Sequence, residues 1–364
     1  MVTIRLSISS EAAYMNIPRT MQAAVLVEQH TPLEIHDIEL PSELGIGQVL
    51  VKVHYSGICG SQLGEIEGVK GPDKFLPHLL GHEGAGTVLA VGAGVDTVTP
   101  DDVVVLHWRP SPGIQSKPPI YKCAGRHINA GWITTFNEHA IVSENRLTAI
   151  SSGTDMKIAA LFGCAVTTGF GVIVNDAHLT IGESVVVYGA GGVGLNVVQA
   201  AALVSAYPII AVDLHDKRLD LAREMGATHV INGRGRDAFA DIRRIVGDVG
   251  LDCFIDNTGK SEVIESGYEA VRFDGRVILV GVPRSGNNIN VHSLPMHFGK
   301  QFKGSHGGSA DPAADIPRYM NLMRNSRLRL DSLVTDVVPL EQINDAIGGM
   351  RDGSINGRCL IGFD

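Results

Sequence analysis

The stretch VVVYGAGGVG, residues 185–194, joins an apolar strand to a glycine-rich turn and the first residues of a helix. The turn has the Gly-x-Gly-x-x-Gly spacing, in which the first glycine makes a tight turn, the second lets backbone approach a pyrophosphate and the third lets helix and strand pack closely. The helix also directs the positive end of its dipole at the turn. This combination predicts a dinucleotide site. Its candidate cofactor-binding residues are Gly189, Gly191, Gly192, Val193 and Gly194.

The chain on either side of this turn alternates apolar strands with helical segments. Predicted strands cover 185–188, 208–212, 228–231, 253–255 and 277–280, and predicted helices cover 192–204, 216–225, 237–246 and 261–271. Such an alternation is typical of a parallel, doubly wound α/β sheet. The fold class that we predict for this part is therefore a Rossmann-type sheet.

Asp213 stands at the end of the second predicted strand, nineteen residues after Gly194. An acid at this place hydrogen-bonds the adenosine ribose of NAD and repels the 2′-phosphate of NADP, which makes NADP the less favoured cofactor. Arg218 is close enough in sequence to contact the ribose as well, and so leaves NADP open. FAD and S-adenosylmethionine bind similar folds, and the glycines alone do not exclude them.

The first 150 residues have a different pattern, with short apolar strands cut by glycine and proline turns. Predicted strands at 25–27, 49–53, 87–91 and 103–106 indicate a β-rich domain. Residues 109–122 are proline-rich and are predicted to form a loop, and a helical stretch is predicted from 158 toward 174. A helix at 316–323, a strand at 333–338 and a helix at 341–350 are predicted after residue 306.

Composition restricts the partners. The net charge is −9 and no basic block is present, so we expect no nucleic-acid partner. No apolar run reaches the roughly 20 residues that span a bilayer, and residues 1–20 lack the apolar core of a secretory signal, so we expect no membrane partner. The five widely spaced cysteines do not suggest a disulfide framework. They indicate a reducing, cytoplasmic location.

Two short segments carry metal-ligand residue types. GICGSQ, residues 57–62, offers the Cys59 thiol and the Ser61 hydroxyl, and GHEGAG, residues 81–86, offers His82 and Glu83. Thiolate, imidazole and carboxylate together are a zinc-type ligand set. A single cysteine, however, is often only a small buried apolar residue, and a single histidine a hydrogen-bonded core residue. Residue types alone therefore leave the metal open.

Longer stretches of sequence around these residues favour a metal site. They are GICGS (57–61), LLGHEGAGTVLAVGAGV (79–95), TTFNEHAIVSEN (134–145), LFGCAVTTGFGV (161–172), VVVYGAGGVGLNVV (185–198) and VILVGVP (277–283). Through these the chain resembles the zinc-dependent medium-chain alcohol dehydrogenase family from Met21 to Phe363. The resemblance implies that Cys59, His82 and Cys164 bind one catalytic zinc. It makes Glu83 either a group that supports these ligands or an alternate fourth ligand. Three protein ligands leave a position open, as in catalytic zinc sites.

The resemblance also implies a domain organisation. A GroES-like catalytic domain would take residues 1–165 and 307–364, with 1–20 as an extension, and a Rossmann dinucleotide-binding domain would take 166–306. Members of the family pair through edge strands of the nucleotide domain, so a homodimer or homotetramer joined near 290–302 is expected.

The chemistry implied by the resemblance is hydride transfer from an alcohol to the nicotinamide, with zinc lowering the pKa of the alcohol oxygen. Ser61 matches the hydroxyl that takes the alcohol proton. Thr168 matches a residue beside the nicotinamide, and Arg358 one near the pyrophosphate.

Three positions depart from the family pattern. Residues 107–123 contain only Cys123 where many members bind a structural zinc with four cysteines, so no second zinc is expected. Gln62 replaces an acid that orients the ligating histidine; its amide oxygen can still accept a hydrogen bond, but a neutral partner should weaken zinc binding. Gly64 replaces a histidine that passes the proton to solvent, which leaves the proton path open.

The comparison places Trp108 and His306 in the substrate pocket, with His107 beside it. These residues suggest a polar alcohol, such as a polyol, sugar or cyclitol derivative, although histidines on loops facing water would look the same in sequence. The leading hypothesis is a zinc- and NAD-dependent alcohol dehydrogenase acting on a small-molecule alcohol or carbonyl substrate. The alternatives are a nicotinamide-dependent reductase of a conjugated C=C or C=N bond, and a non-catalytic zinc- and nucleotide-binding protein.

Overall fold

The computed structural model describes residues 18–363. Of the predicted extension 1–20, residues 1–17 lie outside the described residues, whereas Thr20 already begins the first strand. Residue 20 therefore belongs to the folded domain and not to an extension.

The amino-terminal half is built mainly from strands. These are β1 (Thr20–Leu26), β2 (Glu34–Glu39), β3 (Gln48–Gly57), β4 (His78–Leu79), β5 (Glu83–Val91), β6 (Val103–His107), β7 (Ile120–Cys123), β8 (Arg126–Asn129), β9 (His139–Ser143) and β10 (Leu147–Ile150). The accompanying helices are α1 (Gly60–Ile66), α2 (Met156–Leu161) and α3 (Ala165–Gly171), and α3 continues as a π-helical segment, Val172–Ala177.

The second half alternates strands and helices. Its strands are β11 (Val185–Tyr188), β12 (Ile209–Asp213), β13 (His229–Asn232), β14 (Leu251–Asp256), β15 (Val271–Leu279), β16 (Gln301–Gly304), β17 (Val334–Val338) and β18 (Arg358–Gly362). Its helices are α4 (Gly192–Leu203), α5 (Asp216–Glu224), α6 (Ala238–Val246), α7 (Ser261–Ala270), α8 (Pro312–Arg324) and α9 (Ile343–Asp352). Short 3₁₀ turns lie at Glu144–Arg146, Gly247–Val249, Leu294–Phe298, Gly307–Ser309, Asp331–Leu333 and Leu340–Gln342.

Strands β11 to β16 form one sheet with the order β13-β12-β11-β14-β15-β16 and parallel pairing throughout. The first strand in sequence, β11, thus lies in the middle, and the strand order reverses between β11 and β14. Open sheets of this kind bind ligands at the carboxyl ends of the strands beside that reversal. The predicted doubly wound parallel sheet is confirmed.

The remaining strands, from the amino-terminal half together with β17 and β18, form two sheets. A closed barrel runs β1-β2-β7-β8-β4, and a mixed sheet runs β10-β6-β5-β3-β18-β17, with β9 also paired to β3. Strand β18, from the far end of the sequence, lies between β3 and β17 and pairs antiparallel with β3. Remote segments of the chain thus share one sheet, while the proposed domain boundaries at 165/166 and 306/307 stay predictions.

Two local predictions were wrong. The loop assigned to 109–122 ends in strand β7, which forms a hairpin with β8 through Ala124 (φ 47°) and Gly125 (φ 78°), a two-residue turn of the kind that matches strand twist. The helix predicted from 158 to 174 is interrupted between α2 and α3. Gly163 lies in that break, where a Cβ would stand 2.3 Å from the carbonyl oxygen of Leu106.

Within residues 18–363, no single helix is both long and apolar enough to cross a membrane. The segments Met156–Gly163 and Ala165–Ala177 meet the length and composition criteria only when they are joined across a bend of 50°. Most of their apolar side chains, including Leu161 and Phe170, belong to the largest buried core.

Candidate metal centre and active site

The register between β3 and β5 brings the first two ligand candidates together. Ser56 in β3 stands opposite Gly84 in antiparallel β5. Cys59 follows the end of β3 and His82 precedes the start of β5, so both side chains lie at the same end of the strand pair. Cys59 is also the N-cap residue of α1, which fixes the direction in which the chain leaves the sheet.

The third candidate, Cys164, comes from the break between α2 and α3. Next to it, a Cβ on Gly163 would lie 2.8 Å from Glu83 Cα, so only glycine allows this segment to approach the sheet so closely. The ligand atoms of Cys59, His82 and Cys164 all lie within 4.8 Å of one another. This spacing suits zinc, whose bonds to sulfur and nitrogen are about 2.0–2.3 Å long.

Unpaired polar atoms around the cluster also fit a bound metal and substrate. In the described part of the chain, His82 Nε2, Ser61 Oγ and Thr168 Oγ1 are buried without a hydrogen-bond partner. Buried polar atoms are nearly always paired, because leaving one unpaired costs about 1–3 kcal/mol. A zinc ion on His82 Nε2 and a substrate hydroxyl beside Ser61 would remove that cost.

The two thiols influence each other. A hydrogen bond from the Cys164 thiol lowers the pKa of Cys59 well below its usual range, and neighbouring His82 lowers it further. The same interaction raises the pKa of Cys164 well above its usual range. Cys59 therefore loses its proton more readily than Cys164, and the thiolate is the form of cysteine that binds a metal.

Gln62 is buried and links two of the ligand residues. Its Oε1 accepts a hydrogen bond from the Cys59 backbone N–H at 3.2 Å, and its amide nitrogen contacts His82 Nδ1. The sequence indicates that the amide oxygen can accept a hydrogen bond. Its donor here is the Cys59 N–H, because Gln62 lies in the first turn of α1 and caps it.

Glu83 and Arg358 form a buried ion pair. The other carboxylate oxygen of Glu83 accepts a hydrogen bond from the Ala165 N–H at 3.1 Å. Its carboxylate is thus occupied by groups from β18 and α3, and it lies outside the cluster of ligand atoms. This favours Glu83 as a support for the site over Glu83 as a fourth ligand.

A cleft of about 1040 Å³ extends from Cys59 and Ser61 to the glycine turn at 189–194. Gly189 has a φ of +97°, which other residues rarely adopt, and a Cβ on Gly194 would stand 2.0 Å from the Gly189 carbonyl oxygen. A Cβ on Gly191 would meet nothing within 4 Å, so space for a ligand lies in front of this residue. The side chain of Arg358 lies against Gly192, at the start of α4.

Asp213 also lines this cleft, but part of its carboxylate already has partners. Oδ2 accepts a hydrogen bond from the Ala190 N–H at 2.8 Å, and Oδ1 accepts from the backbone N–H groups of Leu214 and His215. Arg218 is farther away, with 3.9 Å between its NH1 and Oδ1. Asp213 therefore connects the end of β12 to the glycine turn, and a ribose would have to share its oxygens with these donors.

Sequence reasoning missed Asn257, which follows the end of β14 at the strand-order reversal. Both polar atoms of its amide are buried and have no partner among the described residues, and the side chain lies beside Gly189 and Gly194. The rule that ligands bind at the carboxyl ends of the strands next to the reversal could have identified it.

The structure brings Trp108 and His306 together next to the ligand cluster. The Trp108 ring is 6.5 Å from the His82 ring and 4.9 Å from the His306 ring, measured between centroids. His107 is oriented differently: it is buried, bonded to the Arg109 carbonyl and Thr148, and burial lowers its pKa to about 4. His107 is thus turned into the core, whereas the Trp108 ring lies beside the rings of His82 and His306, and His306 is itself exposed.

Two family models match the chain. One, described as an alcohol dehydrogenase GroES-like domain, matches residues 45–152, and one described as a zinc-binding dehydrogenase matches residues 192–325. The first of these confirms the predicted GroES-like character of the β-rich part.

Relatives and solved structures match nearly the whole chain. An S-(hydroxymethyl)glutathione dehydrogenase of Haemophilus influenzae is 30% identical, covering 94% of this chain and 97% of its own length. A protein of the same name from Escherichia coli O139:H28 is 31% identical, covering 91% of this chain and 97% of its own length. The crystal structure of benzyl alcohol dehydrogenase from Acinetobacter calcoaceticus has a TM-score of 0.85 at 28% identity and covers 95% of this chain and 100% of its own. The crystal structure of an alcohol dehydrogenase zinc-binding domain protein from Burkholderia ambifaria has a TM-score of 0.86, also at 28% identity. It covers 95% of this chain and 99% of its own.

Proposed function

We propose, on the premise that the chain belongs to the zinc-dependent medium-chain alcohol dehydrogenase family, that it transfers a hydride between a polar alcohol and NAD. Membership of this family makes the chain an oxidoreductase, which sets aside the non-catalytic alternative. The polar alcohol that we propose is a polyol, sugar or cyclitol derivative, as Trp108 and His306 suggest. The five cysteines of the chain are all unpaired, which supports the reducing, cytoplasmic location that we also propose.

The observation that carries this proposal is the position of the ligand cluster in the cleft. Cys59 and Ser61 line one end, and the glycine turn of the nucleotide-binding sheet lines the other. A dinucleotide bound across the strand-order reversal would place its nicotinamide near the metal ligands.

When bound, zinc supplies a Lewis acid that lowers the pKa of an alcohol, and the nicotinamide accepts the hydride. The Ser61 Oγ accepts the alcohol proton while its own hydroxyl proton passes to an acceptor, so that the hydroxyl stays neutral. Because Gly64 has no side chain to receive the Ser61 proton, that proton passes directly to solvent in the cleft, which both residues line. Thr168 and Trp108 border the Cys164 thiol and so lie beside the proposed metal site.

NAD is the proposed cofactor, because Asp213 places a negative charge where NADP would carry its 2′-phosphate. Comparing kcat/KM for NAD and NADP tests this directly. A preference for NADP would assign cofactor choice to Arg218 instead.

The function is tested by measuring bound zinc and following reduced-nicotinamide absorbance with a panel of polyols, sugars, simple alkanols and S-(hydroxymethyl)glutathione. We expect oxidation of polar alcohols by the zinc-loaded protein. Cys59→Ser should reduce zinc content and lower kcat/KM by at least a hundredfold, since it removes a ligand. Full turnover by Cys59→Ser would refute the zinc mechanism, and activity confined to conjugated C=C or C=N substrates would favour the reductase alternative.

A further inference from the structure

The side-chain amide of Asn257 has hydrogen-bonding capacity that the protein itself does not use. Its Oδ1 and Nδ2 are both buried, and neither has a hydrogen-bond partner among residues 18–363. An asparagine amide accepts through its oxygen and donates through its nitrogen, so both functions are open here. Buried polar atoms are nearly always paired, because an unpaired one lowers stability. Asn257 therefore has the character of a residue that a ligand completes.

The backbone around Asn257 is held in place by hydrogen bonds. Its own N–H donates to the Tyr188 carbonyl at 2.9 Å, which connects the end of β14 to the end of β11. The preceding residue, Asp256, is fully buried, and its carboxylate accepts from the N–H groups of Thr258 and Gly259 at 2.9 Å and 2.8 Å. A side chain presented from a fixed turn can bind a ligand with little loss of conformational entropy.

The amide lies beside the glycine turn. Asn257 lines the same cleft as Gly189 and Gly191. A Cβ on Gly189 would lie 3.2 Å from the Asn257 Cβ, and a Cβ on Gly194 would lie 3.4 Å from its Nδ2. The side chain is therefore next to the segment that is predicted to hold the pyrophosphate, on the side of β14.

The strand order indicates which part of a dinucleotide would meet this amide. A doubly wound sheet has two halves that each take one nucleotide, and here they meet at the reversal between β11 and β14. Asp213 ends β12, so the adenosine ribose belongs on the β12 side of the glycine turn. Asn257 follows β14 on the opposite side. The nicotinamide nucleotide belongs there, and its ribose is the group directly after the pyrophosphate.

We propose that the Asn257 amide binds the hydroxyl groups of the nicotinamide ribose and so positions this half of the cofactor. The inference rests on the proposed function, because it takes NAD as the cofactor. Ribose hydroxyls both donate and accept hydrogen bonds, so they can pair with Oδ1 and Nδ2 together. A phosphate only accepts and would leave Oδ1 unpaired. The carboxamide of the nicotinamide also donates and accepts, but it lies one ring beyond the ribose.

The test measures the binding of ADP, ADP-ribose and NADH by isothermal titration calorimetry, without turnover. ADP-ribose contains the ribose in question and ADP does not, while NADH adds the nicotinamide. Asn257→Leu keeps the size of the side chain but removes both polar atoms. It should weaken the binding of ADP-ribose and NADH about tenfold, the order expected for one or two neutral hydrogen bonds, and leave the affinity for ADP within about twofold.

Urea unfolding of the nucleotide-free protein gives a second readout. Because Asn257→Leu replaces two unpaired buried polar atoms by apolar ones, it should raise the urea concentration at the midpoint of unfolding. Asn257→Ala removes the same two atoms without filling their space and should weaken ADP-ribose binding equally. Asn288→Ala is the matched control, since it alters an exposed asparagine between β15 and β16, and it should change neither affinity nor midpoint.

Equal loss of affinity for ADP and ADP-ribose in Asn257→Leu would place the amide at the pyrophosphate, and loss for NADH alone would place it at the carboxamide. Either result overturns the ribose assignment. Unchanged affinity for all three nucleotides, with or without a lower unfolding midpoint, would give Asn257 a structural role only and overturn the proposal. An unaltered protein that binds none of the three nucleotides would instead overturn the proposed function.

Discussion

At Gln62, a single amide oxygen has to serve two hydrogen-bond donors once His82 binds a metal through Nε2. In that state His82 Nδ1 carries a proton and needs an acceptor. The Gln62 oxygen already accepts from the Cys59 N–H, and its amide nitrogen faces His82. A carboxylate would offer one oxygen to each donor.

We therefore predict that Gln62→Glu, which keeps the length of the side chain, tightens zinc binding about tenfold, the lower end of the range for groups that support metal ligands. Competition with a chromophoric chelator would measure this without an activity assay. Gln48→Glu adds the same charge in β3, far along the strand from the ligands, and should leave zinc affinity unchanged. Equal or weaker affinity in Gln62→Glu would contradict the prediction.

His107 is held neutral by its surroundings, since its Nδ1–H donates to the Arg109 carbonyl and its Nε2 accepts from Thr148. Burial lowers the pKa of His107 from 6.5 to about 4, so between these values the unfolded state binds a proton that the folded state does not. Above pH 6.5 the neutral His107 has no pH-dependent effect on stability. As the pH falls from 6.5 toward 4, protonation of the unfolded state lowers the free energy of unfolding, by about 2 kcal/mol at pH 5.

Urea unfolding of the unaltered protein and His107→Asn at pH 8 and pH 5 measures that difference. The variant should be less stable at pH 8, because it loses packing and hydrogen bonds, but should lose less stability on acidification. His127→Asn, at an exposed position in β8, should follow the unaltered protein. Parallel pH dependence of all three proteins would exclude the assignment to His107.

On the scale of elements, the break between α2 and α3 places Cys164. A Cβ at position 163 would lie 2.3 Å from the Leu106 carbonyl oxygen and 2.8 Å from Glu83 Cα, and both are backbone atoms that cannot rotate away. Gly163→Ala should push α3 away from the sheet, destabilise the protein by about 1–3 kcal/mol and lower zinc content.

The free energy of unfolding and the zinc content of Gly163→Ala would be compared with those of Gly348→Ala. Residue 348 lies in α9, where an added Cβ meets nothing within 4 Å, so alanine there should stabilise the helix by about 0.5–1 kcal/mol. Normal zinc content and stability in Gly163→Ala would mean that the break does not fix the position of Cys164.

The elements that could be predicted from sequence are those with a strong local signal. Strand β11 and helix α4 followed from an apolar run and a glycine turn, and the parallel sheet followed from their repetition. Strand β7 was missed because the turn that joins it to β8 is neither Asn-Gly nor Asp-Gly. The break before Cys164 was missed because residues 158–174 contain no proline and no charged residue that would mark it. It depends on contact with β5 and β6, which local sequence does not contain.

The same distinction holds in the site. Cys59, His82 and Cys164 were expected because their surrounding segments resemble a family, and the structure places their ligand atoms together. The hydrogen bond from the Cys59 N–H to the Gln62 oxygen and the proximity of the Trp108 and His306 rings could not be predicted, because each depends on which of several groups is nearest in space.

At the scale of the whole molecule, β16 forms the edge of the nucleotide-binding sheet and pairs only with β15 among the described strands. Leu294 and Phe298, just before it, are 54% and 68% exposed. Exposed apolar groups beside an open sheet edge favour self-association. This supports the predicted homodimer or homotetramer joined near 290–302, which stays a proposal.

Phe298→Glu should therefore weaken self-association at least tenfold, as sedimentation velocity over a concentration series would measure. Phe75→Glu alters an equally exposed phenylalanine, 61% accessible, outside this edge and should leave assembly unchanged. A monomeric unaltered protein at micromolar concentration would refute the proposed pairing.

Strand β18 lies between β3 and β17 and supplies Arg358 to the buried Glu83 carboxylate. A ribosome translates Cys59 and His82 long before it reaches this strand, a delay on the order of tens of seconds at ordinary elongation rates. Throughout that interval the nascent chain has β3 without its neighbour β18 and Glu83 without the positive charge of Arg358. The complete site, with Glu83 paired to Arg358, is consequently assembled late in biosynthesis, after residues 358–362 have been translated.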